Sequence, residues 1–337
     1  MKKKLIVNAV SCSMASSLSV INFIPSTVSA DESGPTVYGR FRVGLQRTDS
    51  DSENDKIIGF EGASSRFGIK GEEDLGNSLS AIYLYEWSTQ AVGDDGASTG
   101  LGKRKSYVGI KNNNSGLTVG RRTNSFYALT GTHYALGEEY TGNYAIFEVP
   151  GISDKTSDLL SYRYTHDDLE LGAELSLDQD DIAGKDIDQW NVAARYKFGR
   201  GHLSAGYINS ETSSSSDEGS IDKNESDATT VFIDLDIGET GNLYLGAMFA
   251  TQELNGVDGE DVDSYHVGYS GSKGKIGYFI SFDQLDFQDS DDADFWTLAF
   301  AYHISTRTRI YIETEFKDSD ADNSDRNRQI IGLRHDF

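Results

Sequence analysis

The chain has 337 residues, 54 acidic against 30 basic, and a net charge of −24. Its isoelectric point is near 4.5 and its mean hydropathy is −0.47. So acidic a chain is a poor partner for nucleic acid, whose phosphates call for clustered Lys and Arg. No run of about eighteen apolar residues follows residue 30, which excludes a membrane-spanning helix but not a β-barrel.

Residues 1–30 are predicted to be a cleaved secretory signal peptide. Lys2, Lys3 and Lys4 form a basic start, an apolar stretch broken by serines runs from Leu5, and Val28-Ser29-Ala30 offers a small-residue cleavage site. The alternative is a buried N-terminal helix. Cleavage removes three lysines and no acids, taking the charge from −24 to −27 over residues 31–337. It also removes Cys12, the single cysteine, which rules out disulfide and cysteine chemistry in the remainder.

Beyond residue 36, apolar and polar residues alternate at every second position in sixteen short segments. A side-chain period of two means β-strand. In Leu169–Leu177, the residues Leu169, Leu171, Ala173, Leu175 and Leu177 share one face. Further on, Leu243, Leu245, Ala247 and Phe249 oppose Asn242, Tyr244, Gly246 and Met248. Near the end, Ile310, Ile312 and Phe316 oppose Arg309, Tyr311, Glu313 and Glu315.

The connectors alternate in length. Short ones lie at 71–77, 112–116, 166–168, 199–201, 238–241, 271–274 and 305–307, most carrying Gly, Asn or Asp. Long ones lie at about 48–57, 90–102, 122–155, 178–187, 211–227, 253–262, 286–293 and 318–326. A soluble sandwich has no reason to place every long loop at one end. Short turns on one side, long loops on the other and an even strand count describe an outer-membrane barrel. The expected fold is therefore all-β: a 16-stranded antiparallel transmembrane β-barrel, with residues 31–337 as one domain. Sixteen strands leave an aqueous channel, whereas about eight would fill with side chains.

The long loops are strongly acidic, as in Asp178, Asp180, Asp181, Asp186 and Asp188. They read as a solvated surface, or as sites where divalent cations bridge to anionic lipopolysaccharide. Asp49/Asp51/Glu53/Asp55 and Asp318/Asp320/Asp322 have calcium-like spacing but lack the glycine and terminal Glu of an EF-hand. No metal or cofactor is expected.

Several stretches resemble the trimeric porins of Gram-negative outer membranes. Val37–Leu45 resembles the first strand of that family. Ser65-Arg66-Phe67-Gly68-Ile69-Lys70-Gly71-Glu72-Glu73-Asp74-Leu75-Gly76-Asn77 resembles its second strand and first turn. Arg104–Ile110 with Leu117–Arg121 resembles the strands before the third loop, and Gly332–Phe337 resembles the closing strand. The resemblance implies a homotrimer in outer-membrane lipid and lipopolysaccharide. It also implies a third loop folded into the pore, and recognition of Phe337 by the barrel-assembly machinery.

The alternation can be set against that picture. With Val37, Phe41, Val43 and Leu45 toward lipid, Arg40 and Arg42 point inward; with Phe67 and Ile69 outward, Arg66 and Lys70 do the same. An arginine at the bilayer midplane costs about 2–4 kcal/mol, which favours this phase. Arg104 shares a face with Ser106. By resemblance, Arg40, Arg66 and Arg104, with Lys155, match the basic wall of the constriction. The facing acids of the third loop would be Glu138, Glu139, Glu148 and Asp154, although the Pro-Glu-Phe-Gly-Gly stretch of the family is absent and Glu148-Val149-Pro150-Gly151 stands in its place. Tyr127, Tyr134, Tyr140 and Tyr144 would pack this loop on the wall or stack on sugars. Trp296, Phe300, Tyr302, Tyr278 and Phe282 face outward, as girdle or plain lipid contacts.

The expected function is passive diffusion of ions and small hydrophilic solutes, with cations preferred because the outer loops are acidic. The alternative is an oligosaccharide-specific channel using inward Tyr38, Tyr244 and Tyr311. An enzyme is not expected: His133, His166, His202, His266, His303 and His335 scatter over six elements. A receptor role for the outer loops is compatible with either.

Overall fold

Extended backbone with a greasy face toward the bilayer must satisfy every amide within the sheet, and only closure achieves this in lipid. A computed structural model of the chain describes residues 34–50, 53–62, 64–89, 92, 101–130, 152–177, 187–215, 221–254, 257–259, 261–288, 291–320 and 325–337. The predicted signal peptide at 1–30 lies outside these residues.

The strands are β1 (Thr36–Ser50), β2 (Glu53–Glu61), β3 (Arg66–Gly76), β4 (Leu79–Thr89), β5 (Leu101–Lys111) and β6 (Ser115–Thr123). A short helix α1 (Ser125–Thr130) follows. Then come β7 (Lys155–His166), β8 (Leu169–Leu177), β9 (Ile187–Phe198), β10 (Gly201–Ser215), β11 (Ile221–Asp236) and β12 (Asn242–Leu254). The last six are β13 (Val257–Asp258), β14 (Val262–Lys273), β15 (Ile276–Phe287), β16 (Ala293–His303), β17 (Thr308–Ser319) and β18 (Arg326–Asp336). All pair antiparallel with their neighbours, and β1 closes the circle on β18, from Arg40 opposite Asp336 to Ser50 opposite Arg326.

Eighteen segments make sixteen staves. β2 and β3 lie end to end along β1, and β13 and β14 lie end to end along β12. At the first break Ser65 takes over the ladder: its hydroxyl accepts from the Arg42 amide at 3.0 Å and donates to the Arg42 carbonyl at 3.1 Å. The closing seam continues past β18, where Phe337 and Gly39 exchange two backbone bonds of 3.0 Å.

The expected strand count and phase are found, with longer hairpins. The connectors read at 48–57, 211–227 and 253–262 are largely strand, because β1–β2, β10–β11 and β12–β13 stay paired well beyond the apolar band. The short turns use the residues they require: Gly199 and Gly274 adopt φ of 54° and 62°, a region L side chains rarely enter.

The hydrophobic pattern is inside out. Val37, Phe41 and Leu45 of β1, Val108 and Ile110 of β5, and Trp296, Leu298 and Phe300 of β16 are exposed on the outer wall. Tyr278 and Phe282 share that outer face with Ile280, and Tyr302 with Phe300. Arg42, Glu174, Arg195, Asp283 and Glu313 are buried inside.

Candidate pore lining and its basic arc

Along the stretch of sheet β18, β1, β3, β4 and β5, alternation, with one bulge in β5, aims one cation after another at the lumen. Arg40, Arg42, Arg66, Lys70, Arg104, Lys105 and Arg334 line this arc, accompanied by two carboxylates, Glu86 and Asp336. Glu86 of β4 is the hub. Its side chain is 6% exposed and accepts from Arg104 Nε at 2.7 Å and the Tyr38 hydroxyl at 2.9 Å, with Arg66 Nε at 3.7 Å. Arg40 Nε donates to Asp336 at 2.8 Å across the closing seam, and Arg334 reaches the same carboxylate at 2.9 Å. Lys70 lies 5.4 Å above the Tyr38 ring.

Arg104 reaches this group by a β-bulge. Lys105 pairs with Glu86 and Lys103 with Trp87, so Arg104 is the extra residue. Ser106 pairs with Tyr85 on the outer face, and the shared face expected for Arg104 and Ser106 is thereby broken. Strict alternation instead carries Lys105 inward with Tyr107, opposite Glu86.

The opposite wall is built differently. α1 packs on the inward faces of β8, β9 and β10. The Phe126 ring joins an apolar cluster with Ile152, Ile208, Phe232, Tyr244, Met248, Leu285 and Phe295. Asn124 caps α1 through Oδ1, which accepts the Tyr127 amide at 2.8 Å, while its Nδ2 donates to Ser153 O at 2.7 Å. Beyond this cluster, His266 Nδ1 and Ser281 Oγ share the Asp283 carboxylate, the latter at 3.0 Å. The serine hydroxyl donates to the acid and not to the imidazole, so the trio lacks the nucleophile-to-base bond of acyl-transfer chemistry. Glu315 accepts from Arg328 Nε at 2.9 Å and Arg326 Nη2 at 3.2 Å.

A profile of the Gram-negative porin family matches residues 15–322. The chain belongs to the Gram-negative porin family. Among curated relatives, the major outer membrane protein P.IB of Neisseria gonorrhoeae is 29% identical over 172 residues, 48% of each chain. That of Neisseria meningitidis serogroup B is 30% identical over 175 residues, 49% of this chain and 50% of the relative. The chain thus spans about half the length of the curated relatives it matches. Solved structures share the fold. The anion-selective porin from Comamonas acidovorans is 22% identical with a TM-score of 0.77, covering 90% of this chain and 99% of that one. OmpT of Vibrio cholerae in its trimer form is 17% identical with a TM-score of 0.66, covering 90% and 99%. This porin is therefore an outer-membrane, multi-pass β-barrel.

Its residues can now be placed. Arg40, Arg42, Arg66, Lys70 and Arg104 lie on one arc of the inner wall. Lys155 lies at the start of β7 within electrostatic reach of Arg104 and Lys105, and its ammonium pairs with Asp154. Glu138, Glu139 and Glu148, with Tyr134, Tyr140 and Tyr144, lie outside the described residues. Tyr127 lies inside them, and burial beside Asp154 raises its phenol well above the ordinary range, so it stays protonated. Sequence reasoning passed over Glu86 and Lys105. The parity of Lys105 with Tyr107, Gly109 and Lys111 was the available signal; the bulge that brings Arg104 alongside has none. Phe337 stacks on Phe41 at 5.7 Å on the outer face, with Leu333 and His335 beside it in phase.

Proposed function

We propose that this porin is a water-filled diffusion channel for ions and small hydrophilic solutes, assembled as a homotrimer. Its constriction would lie between the basic arc and the third loop. The carrying observation is the arc itself, where Arg40, Arg42, Arg66, Lys70, Arg104, Lys105 and Arg334 gather around Glu86 and Asp336 on one side of the lumen. Rings of basic side chains favour anions. The acidic outer loops concentrate cations at the mouth, but at physiological salt their field decays over about 8 Å. The constriction then dominates, and the proposed selectivity is for anions, against the cation preference that net charge suggests. The anion-selective description of the Comamonas porin is consistent with this reading, as the trimer form of OmpT is with the oligomer. Under the same reading residues 1–30 are removed on export, Phe337 serves barrel assembly, and the outer loops meet lipopolysaccharide.

The oligosaccharide-specific alternative is less well supported. Tyr244 and Tyr311 are 2% and 1% exposed, and Tyr38 is engaged by Glu86 and Lys70, so these rings present no stacking track. The test is single-channel recording in planar bilayers under a salt gradient. Discrete conductance steps with an anion-directed reversal potential support the proposal. Absence of conductance overturns it, and brief block by one sugar favours the alternative.

A further inference from the structure

Inward-facing residues of β7, β8 and β9 do more than line a wall: they grip both ends of α1. Glu174 of β8 is fully buried and accepts from five donors. Two are the Ser125 amide and hydroxyl, the latter at 2.7 Å; the others are Ser161 Oγ, Arg163 Nη2 at 3.3 Å and Asn191 Nδ2 at 3.2 Å. Asn191 turns its Oδ1 to the Phe126 amide at 3.1 Å, and Arg163 donates to Thr123 O at 2.7 Å. At the other end Arg195 donates to Leu129 O at 2.8 Å and Ala128 O at 3.2 Å. The Glu174 carboxylate and the Asn191 amide oxygen meet the free amides, and a guanidinium meets the free carbonyls, which matches the peptide dipoles of the turn.

The wall is shaped to receive the turn. A Cβ on Gly172 would overlap Ser125 Oγ, and one on Gly206 would sit 3.0 Å from the Phe126 ring. A buried carboxylate, even with cations beside it, needs its remaining lone pairs filled. Two of the five donors that fill them come from the loop, so seating the loop completes the wall and releasing it leaves Glu174 short.

We infer that Glu174, Asn191 and Arg195 form a latch that fixes the start of the third loop against the wall and so sets the width and steadiness of the pore. They are positioning residues: none belongs to the basic arc. The inference rests on the channel reading. It is tested with the full-length protein in planar bilayers, using Glu174→Gln, Asn191→Ala and Arg195→Ala, with conductance, open-channel noise and exclusion of polyethylene glycols of graded size as readouts. Conductance follows the open cross-section, so release of the loop should raise it by a factor on the order of two. Noise should rise and larger glycols should enter, while heat-modifiable migration of the barrel stays that of the parent. A role confined to neutralising Arg163 would alter migration but not the glycol cutoff. Should Glu174→Gln not assemble, Asn191→Ala, which leaves the Glu174–Arg163 pair intact, carries the same expectation. Folded variants with parental conductance, noise and cutoff overturn the latch. A parent that does not conduct overturns the channel reading instead.

Discussion

Replacing Glu86 by Gln should turn the pore further toward anions, by an amount the geometry sets. Glu86 is the carboxylate that, among the described residues, contacts Arg66 and Arg104 and pairs across the ladder with Lys105. Gln keeps the shape and an acceptor for Tyr38, so the change is close to one added positive charge. An ion passing about 5 Å from that charge in water feels about 0.8 kcal/mol. Screening over about 10 Å at 0.1 M salt reduces this to about 0.5 kcal/mol. Anions gain this and cations lose it, so the ratio of their permeabilities moves by about 1 kcal/mol, or about fivefold. In a tenfold potassium chloride gradient the reversal potential should shift by about 30 mV toward the anion limit. At 1 M salt, where the Debye length is about 3 Å, most of the shift should vanish. Lys105→Gln should move the potential the other way by a similar amount. An unchanged reversal potential in both variants at low salt would refute the arc as the selective element. The Glu86 variant should also melt earlier, since removing one partner of a buried ion group costs roughly 3–5 kcal/mol.

Neutralising Arg40, Arg66 and Arg104 together should shift the reversal potential toward cations, and a null result in the same gradient would show that the current passes elsewhere. Gly332→Val should destabilise the closing seam by about 1–3 kcal/mol, because a Cβ there would run into the Tyr311 ring; the readout is the temperature of heat-modifiable migration, and an unaltered transition would mean that the ring swings away freely. Phe337→Ala removes the ring stacked on Phe41 but leaves the backbone exchange with Gly39. Its folded yield in the outer membrane should fall, and a parental yield would deny the residue an assembly role.

The barrel was legible in the chain because lipid enforces a strict rule. Every second side chain meets hydrocarbon, so Val37, Phe41 and Leu45 declare their face, and Arg40 and Arg42 follow with no choice. Interleaved connectors supplied the even count and the sidedness, and the tight turns place Gly199 and Gly274 at positive φ. Motifs in register added the family, which parity alone cannot supply.

Tertiary structure decided what parity could not reach. A bulge breaks the period locally, so Arg104 joins Lys105 on one face, and no residue type announces it. Strand pairing is what makes Glu86 the shared partner of cations eighteen and twenty positions away. The seat of α1 depends on residues from three strands, Glu174, Asn191 and Gly206, whose spacing in the chain carries no signal. Alternation along a strand is a local property and can be read in one dimension. Which charges meet across the lumen depends on register between strands far apart in sequence, and only the closed barrel sets that.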